Sequence, residues 1–137
     1  MRARFFAGSG MLLMALAVML GAFGAHALRA SLNVQQLQTW QTATEYQVYH
    51  ALALLALGIW MESKSPSRLA QIAGLLLLLG VILFSGSLYL LVMTATPGLG
   101  VITPFGGLAL IAGWLIWFAA LLAQRSAGGP VGDPPRS

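Results

Sequence analysis

Four long apolar segments, separated by short polar or charged ones, restrict most strongly what this chain can fold into. The first of them, residues 5–28, contains no charged side chain. A helix needs about 20 apolar residues to cross about 30 Å of hydrocarbon, and each segment approaches or exceeds that length. Only 7% of the residues are charged and 58% are hydrophobic, whereas soluble domains carry about 25% charged residues. The sequence therefore predicts a protein whose main solvent is lipid.

We predict an all-α membrane protein with four transmembrane helices in one bundle, formed by residues 1–125. The spans are expected at about residues 5–28, 40–61, 66–93 and 104–124, with a short interfacial helix before the second span. This helix is expected to run into the second span and to place Trp40, Tyr46 and Tyr49 near the headgroups. Asn33 and Gln36 have the spacing of a capping box, and Ser65 with Pro66 predicts the start of the third span. Residues 126–137 are rich in Gly, Pro and polar residues and are expected to form a disordered cytoplasmic tail.

The basic residues predict the orientation of the spans. If the N-terminus is cytoplasmic, Arg29 is the only basic residue on the outer side, and the inner side holds the other six: Arg2, Arg4, Lys64, Arg68, Arg125 and Arg136. Because Lys and Arg are enriched in cytoplasmic segments, both termini are expected inside. The alternative is a cleaved signal peptide ending near residue 27, but residues 5–28 exceed the usual apolar core of about 7–15 residues. Ala17, Gly21 and Ala25 instead predict a small-residue packing stripe on a retained helix.

Four motifs in these segments resemble a known family. They are GAFGAHAL at residues 21–28, YQVYHALALLAL at 46–57, FSGSLYLL at 84–91 and ITPFGGLALIAGW at 102–114. Together they are similar to the small bacterial inner-membrane family of unknown function that includes YgdD and has small eukaryotic transmembrane relatives. The resemblance implies a multi-pass protein of the bacterial inner (plasma) membrane. It implies no biochemical activity.

The few polar residues inside the segments form the candidate site. At 100° per residue His50 lies 40° from Tyr46 and 60° from Gln47 around the helix, but about 140° from Glu45. Glu45 must therefore interact with another helix. We expect it to pair with His26 at a similar depth, with Arg29 as the second choice. The open alternatives are a proton or cation site in an outward-facing cavity and a structural, water-exposed carboxylate.

The remaining candidates follow from depth along the helices. His50 is placed near mid-bilayer, level with Gly80 and Gly113, two predicted helix-packing residues that are also expected to leave room for its imidazole. A relay or ligand role and a purely structural hydrogen bond are equally open for His50. The depth of His26 and Glu45, near the outer membrane surface, would also hold two serines and a pair of glycines that allow close helix approach: Ser85, Ser87, Gly106 and Gly107.

Other site chemistries find little support in the sequence. There are no cysteines, the two histidines lie at different depths, and no phosphate-binding or hydrolase motif is present, so we expect no metal, no cofactor and no enzymatic activity. The basic residues form no stripe for nucleic acid. The favoured function is a non-enzymatic interaction or envelope-support module in the bilayer, with a membrane-protein partner or a homo-oligomer. The alternative is a small transporter or proton-coupled permeation unit using Glu45, His26 and His50, and an enzyme acting on a lipid or quinone is weaker.

Overall fold

The computed structural model describes residues 2–63 and 67–127, with side chains as far as residue 124. The described chain is all-helical, with α1 at Arg2–His26, α2 at Val34–Ser63, α3 at Arg68–Thr94 and α4 at Thr103–Ala127. A short 3-10 helix at Pro97–Val101 precedes α4. Three helical stretches are long and apolar enough to cross a membrane, namely Arg2–His26, Arg68–Thr94 and Pro97–Gln124. The first half of α2 is rich in Gln, Thr and other polar residues, and α2 is not among the three.

The helix ends agree only in part with the predicted boundaries. The capping box is confirmed, because Gln36 N–H donates to Asn33 Oδ1 at 2.9 Å and Asn33 N–H donates to Gln36 Oε1 at 3.0 Å. The polar segment after it is not a separate interfacial helix, since α2 runs unbroken from Val34 to Ser63. Ser65 and Pro66 lie outside the described residues, and α3 is capped by Ser67, whose hydroxyl accepts from Ala70 N–H. Helix α4 continues past the predicted end of the fourth span to Ala127, and residues 128–137 lie outside the described part.

The four helices run up and down in two tightly packed pairs. In the first pair, Trp40 of α2 reaches the Leu20 carbonyl of α1, and Gly58 near the other end of α2 faces Ala3 and Ala7. In the second pair, Ser87 near the end of α3 bonds Thr103 at the start of α4. In each pair the residue numbers of the two contacting helices run in opposite directions along the interface, so both pairs are antiparallel.

Helices α2 and α3 join the pairs at the centre of the molecule. Leu54, Leu57, Leu77 and Val81 are almost completely buried there and form the core together with Phe6 of α1. No Cα atom of α1 lies within 8 Å of one of α4 among the described residues. The two outer helices therefore flank the central pair and expose long apolar faces, as expected for helices in contact with lipid.

Small residues bring α1 and α2 together, but not along the predicted stripe. Ala17 is buried, whereas Gly21 is only partly buried and Ala25 is exposed. Positions spaced by four residues drift 40° per step around a helix, so Ala25 has turned 80° away from the interface at Ala17. The actual contact line follows the 3.5-residue repeat of left-handed helix packing, and it passes through Ala3, Ala7, Gly10, Ala17 and Gly24.

Candidate functional site

A chain of hydrogen bonds between polar side chains joins α1, α2 and α3 in one half of the bundle. Trp40 Nε1 donates to the Leu20 carbonyl at 2.9 Å, and Gln47 Nε2 donates to the Leu13 carbonyl at 2.8 Å. The Tyr89 hydroxyl of α3 lies 3.0 Å from Gln47 Oε1 and 3.1 Å from Thr44 Oγ1. Trp40, Thr44 and Gln47 follow the i, i+4, i+7 spacing of one helix face, so α2 presents all three to its neighbours. We refer to Trp40, Thr44, Gln47 and Tyr89 as the polar seam.

Two of these bonds depend on small residues in α1. A helical carbonyl is normally screened by the side chain four residues later, and Leu13 and Leu20 are followed at that distance by Ala17 and Gly24. At Gly24 the requirement is strict, because an added Cβ would lie 2.5 Å from Cδ1 and Nε1 of Trp40. The absence of a side chain at Gly24 therefore lets the indole reach the backbone of α1.

His50 is buried and both of its ring nitrogens have partners. Nδ1 lies 2.7 Å from the Tyr46 carbonyl oxygen, and Trp114 Nε1 donates to Nε2 at 3.3 Å. The neutral tautomer with its proton on Nδ1 satisfies both contacts, since Nε2 must then accept. The Tyr46 ring stacks near the imidazole, with ring centroids 6.1 Å apart, and also on Phe84 of α3.

The predicted glycine pocket around His50 is wrong. A Cβ on Gly80 would meet Leu110, and one on Gly113 would meet Leu77, so both glycines serve the contact between α3 and α4. Trp114, one residue after Gly113, is the α4 residue that reaches His50. Counting residues along α4 leads to the right turn of that helix, but it does not show which face of α4 points toward α2.

Gly106 and Gly107 lie on different faces of α4, and only one of them faces the α3 backbone. A Cβ on Gly106 would lie 2.8 Å from Phe84 Cα and 2.9 Å from the Leu83 carbonyl carbon, and closer still to Phe84 N. On Gly107 the nearest atom would be Phe84 Cδ2 at 3.7 Å, an ordinary contact. Only Gly106 is therefore required for the close approach of α3 and α4.

An open cavity of about 490 Å³ lies where α1 ends and α2 begins. Arg29 and Glu45 line it from opposite elements, the loop after α1 and the second quarter of α2. The other lining residues are Gly21, Gly24, Ala25, Leu37, Trp40, Gln41 and Thr44. This cavity contains two of the predicted polar residues, Arg29 and Glu45, and touches the polar seam at Trp40 and Thr44.

The expected pair between Glu45 and His26 does not form. Glu45 is exposed, and its Oε1 accepts from Gln41 Nε2 at 3.0 Å. In the part of the chain with described side chains, the one ion pair joins Arg4 to Glu62 at the opposite end of α2. His26 is exposed and does not line the cavity.

The two serines of α3 lie away from the cavity. The Ser87 hydroxyl bonds the Phe84 carbonyl oxygen at 2.9 Å and Thr103 Oγ1 at 2.8 Å, which fixes the start of α4. Ser85 is buried, and its hydroxyl has no hydrogen-bond partner among the described residues. Ser87 therefore belongs to the contact between α3 and α4, apart from the cavity at the α1–α2 end.

The sequence reasoning missed three central residues. Trp40 was assigned to the headgroup region, yet it is 4% exposed and packs on Tyr89 with ring centroids 4.7 Å apart. Tyr89 and Trp114 were not singled out as partners. A signal was available for Tyr89, which follows Ser85 by one helical turn and therefore shares its face.

The described residues offer no group of three or more His, Cys, Asp or Glu side chains that could hold a metal ion. The interior arrangement can hold helices in register, because Trp40, Gln47 and Tyr89 each donate to a group on a neighbouring helix. The cavity brings one positive and one negative side chain, Arg29 and Glu45, to the same opening.

Comparison with known proteins places these features in a family. The model of a protein family of unknown function, DUF423, matches residues 20–107, which include the polar seam, His50 and the cavity. The chain belongs to the DUF423 family. This confirms the resemblance to a small bacterial membrane family of unknown function.

Curated relatives agree with this membership. A UPF0382 membrane protein of Staphylococcus aureus (strain bovine RF122 / ET3-1) is 47% identical over 105 residues, which cover 77% of this chain and 84% of the relative. The UPF0382 membrane protein YwdK of Bacillus subtilis is 45% identical over 101 residues, covering 74% and 82% of the two chains. No solved structure matches the chain.

Proposed function

We propose that this protein is a four-span protein of the bacterial inner membrane that acts as a non-enzymatic interaction or envelope-support module. The observation that carries the proposal is that interior polar groups are engaged in hydrogen bonds within the protein. Trp40, Gln47 and Tyr89 bond neighbouring helices, and both nitrogens of His50 are engaged. Such bonds stabilise the helix pairing by about 0.6 kcal/mol each on average in membranes. An interior occupied in this way supports a fixed scaffold that works through its outer faces.

The packing of α2 supports its assignment as the second of the four spans. Its contacts with α1 extend from Trp40 to Gly58, a distance of about 27 Å at 1.5 Å per residue. Helix α1 is apolar enough to cross the membrane by itself. Because α2 lies alongside α1 over almost the full hydrocarbon thickness, α2 occupies the same depth in the membrane as α1. Gln47 and His50 are tolerated at that depth because both side chains are buried inside the protein.

In-cell photo-crosslinking tests the interaction role. A photoreactive residue placed at Leu115 or Phe118, which are 63% and 60% exposed on α4, is expected to give a discrete protein adduct. The matched control is Leu110 on the same helix, which is 3% exposed and should give none. The adduct identifies either a partner protein or a second copy of the chain. Lipid adducts alone at every exposed position of α1 and α4 would contradict an interaction module.

The cavity at Glu45 is the observation that favours the alternative, a proton-coupled permeation unit. His50 does not line this cavity, so the cavity itself gives no polar route from Glu45 to His50. Proteoliposomes with a trapped pH dye provide the test. We expect no proton flux above that of protein-free vesicles. A flux removed by Glu45→Gln but retained in Glu62→Gln, which makes the same change at the other end of α2, would replace the scaffold proposal.

A further inference from the structure

The cavity between α1 and α2 combines two opposite charges that do not neutralise each other. Arg29 lies in the loop after α1 and Glu45 lies three turns into α2. Among the described side chains the one ion pair within 4.0 Å is Arg4 with Glu62, so the charges of Arg29 and Glu45 face the same cavity unpaired. An Arg and a Glu on the surface of one open cavity are a complementary pair of binding groups for a ligand that carries both charges.

The hydrogen-bonding capacity of the cavity is also incomplete. No hydrogen bond to the Arg29 guanidinium occurs within the described part of the chain, although a guanidinium offers five N–H donors. Glu45 uses Oε1 to accept from Gln41, which leaves Oε2 and the Gln41 carbonyl oxygen as acceptors. The two sides of the cavity therefore differ: donors project from Arg29, and acceptors project from Glu45 and Gln41.

The rest of the cavity wall is mostly apolar and fits a ligand located at the membrane surface. Gly21, Gly24, Ala25 and Leu37 are apolar, and Trp40 closes the inner side. In the four-span arrangement the cavity lies at the outer headgroup level, because Arg29 belongs to the loop between the first two spans. A volume of about 490 Å³ lies within the usual range for small-ligand sites, about 300–1,000 Å³.

We propose that this cavity binds the headgroup of a zwitterionic phospholipid that carries a primary amine, as in phosphatidylethanolamine. The phosphate is held by Arg29, which matches its geometry and charge. The ammonium donates to Glu45 and Gln41, and its N–H groups distinguish it from a trimethylated headgroup of the same charge. The apolar wall contacts the adjoining glycerol and acyl region. The inference uses the four-span arrangement but does not depend on the interaction role.

Lipid retention measured by native mass spectrometry tests the proposal. The full chain is reconstituted in nanodiscs with equal amounts of phosphatidylethanolamine, phosphatidylcholine and phosphatidylglycerol, released into the gas phase, and scored for bound lipid. We expect preferential retention of phosphatidylethanolamine. Arg29→Gln and Glu45→Gln should each reduce it about tenfold, the effect of losing one charge-assisted hydrogen bond. Both side chains are exposed, so folding should persist, and thermal unfolding in detergent verifies this for each variant.

Matched controls make the same chemical changes away from the cavity. Glu62→Gln and Arg68→Gln lie at the opposite end of the bundle, on exposed positions, and should leave retention unchanged. Equal retention of the three lipids, or retention insensitive to Arg29→Gln and Glu45→Gln, overturns the proposal. So does a preference for phosphatidylglycerol lost only in Arg29→Gln, which indicates an anionic-lipid site. Displacement of the lipid by soluble phosphoethanolamine at similar concentration overturns the lipid assignment. None of these results changes the photo-crosslinking outcome, so the two proposals fail separately.

Discussion

At the scale of single residues, the arrangement of this protein depends on where a side chain is missing as much as on where one is present. Trp40 can bond the Leu20 carbonyl only because Gly24 leaves that carbonyl open. The same relation holds for Gln47, Leu13 and Ala17. A buried Trp or Gln must satisfy its polar atoms within the protein, because a buried polar group without a partner costs free energy. The small residue and the polar residue are therefore a coupled pair.

Gly24→Ala should destabilise the protein by about 1–3 kcal/mol, the usual cost of overpacking. The new methyl group would lie 2.5 Å from the Trp40 ring and push the indole away from the Leu20 carbonyl. Unfolding by SDS or heat in detergent measures the loss. Gly86→Ala is the control, since its Cβ meets nothing within 4 Å. It should be neutral or stabilising by up to about 1 kcal/mol, as expected for Ala in a helix. Equal stability of both variants would disprove the contact.

At the scale of the helix pairs, the two interfaces are built from different small residues. Helices α1 and α2 approach through Gly10 and Gly58, where an added Cβ would meet backbone atoms of Ala51, Leu55, Ala3 and Ala7. Helices α3 and α4 approach through Gly80, Gly106 and Gly113. The sequence predicted three of these, Gly80, Gly106 and Gly113, as packing residues. It could not assign their faces, because lipid-facing and protein-facing residues are equally apolar and no polarity contrast marks the interface.

The neighbouring glycines of α4 give a direct test of this assignment. Gly106→Ala should destabilise strongly, because its methyl group would strike the backbone of Leu83 and Phe84, and the two helices would have to separate. Gly107→Ala should change the unfolding free energy little, since its nearest neighbour is a side-chain atom at 3.7 Å. The comparison is closely matched: the same substitution, one residue apart, on the same helix. Similar loss of thermal stability in both variants would mean that α4 is rotated from the described position.

At the scale of the whole molecule, the predictable part was the part governed by length and composition. The all-helical fold, the capping box at Asn33 and the membrane family followed from local patterns. The site was predicted less well. Glu45 and Arg29 do share a cavity, but His26 does not join them, and Trp40, Tyr89 and Trp114 are the partners that organise the interior. Depth follows from counting residues, whereas rotation about each helix axis depends on contacts between helices.

The topology of the whole molecule rests on α2. It is the one long helix that falls short of the apolarity of a membrane span, and its buried Gln47 and His50 account for part of that shortfall. If α2 crosses the bilayer, the α1–α2 loop and the end of α2 lie on opposite sides. If it does not, both lie on the same side and the chain has three spans. Six basic residues on one side against Arg29 on the other favour the first arrangement.

Single-cysteine labelling distinguishes these arrangements, and the chain contains no native cysteine to interfere. Ser31→Cys in the α1–α2 loop, Ser63→Cys at the end of α2 and Thr96→Cys before α4 are all at exposed positions. With a membrane-impermeant maleimide on intact spheroplasts, Ser31→Cys and Thr96→Cys should react at once, and Ser63→Cys only after lysis. Reaction of Ser31→Cys and Ser63→Cys from the same side would remove α2 from the membrane. The outer-leaflet position of the Arg29–Glu45 cavity would then need to be abandoned as well, since both its walls belong to the α1–α2 junction.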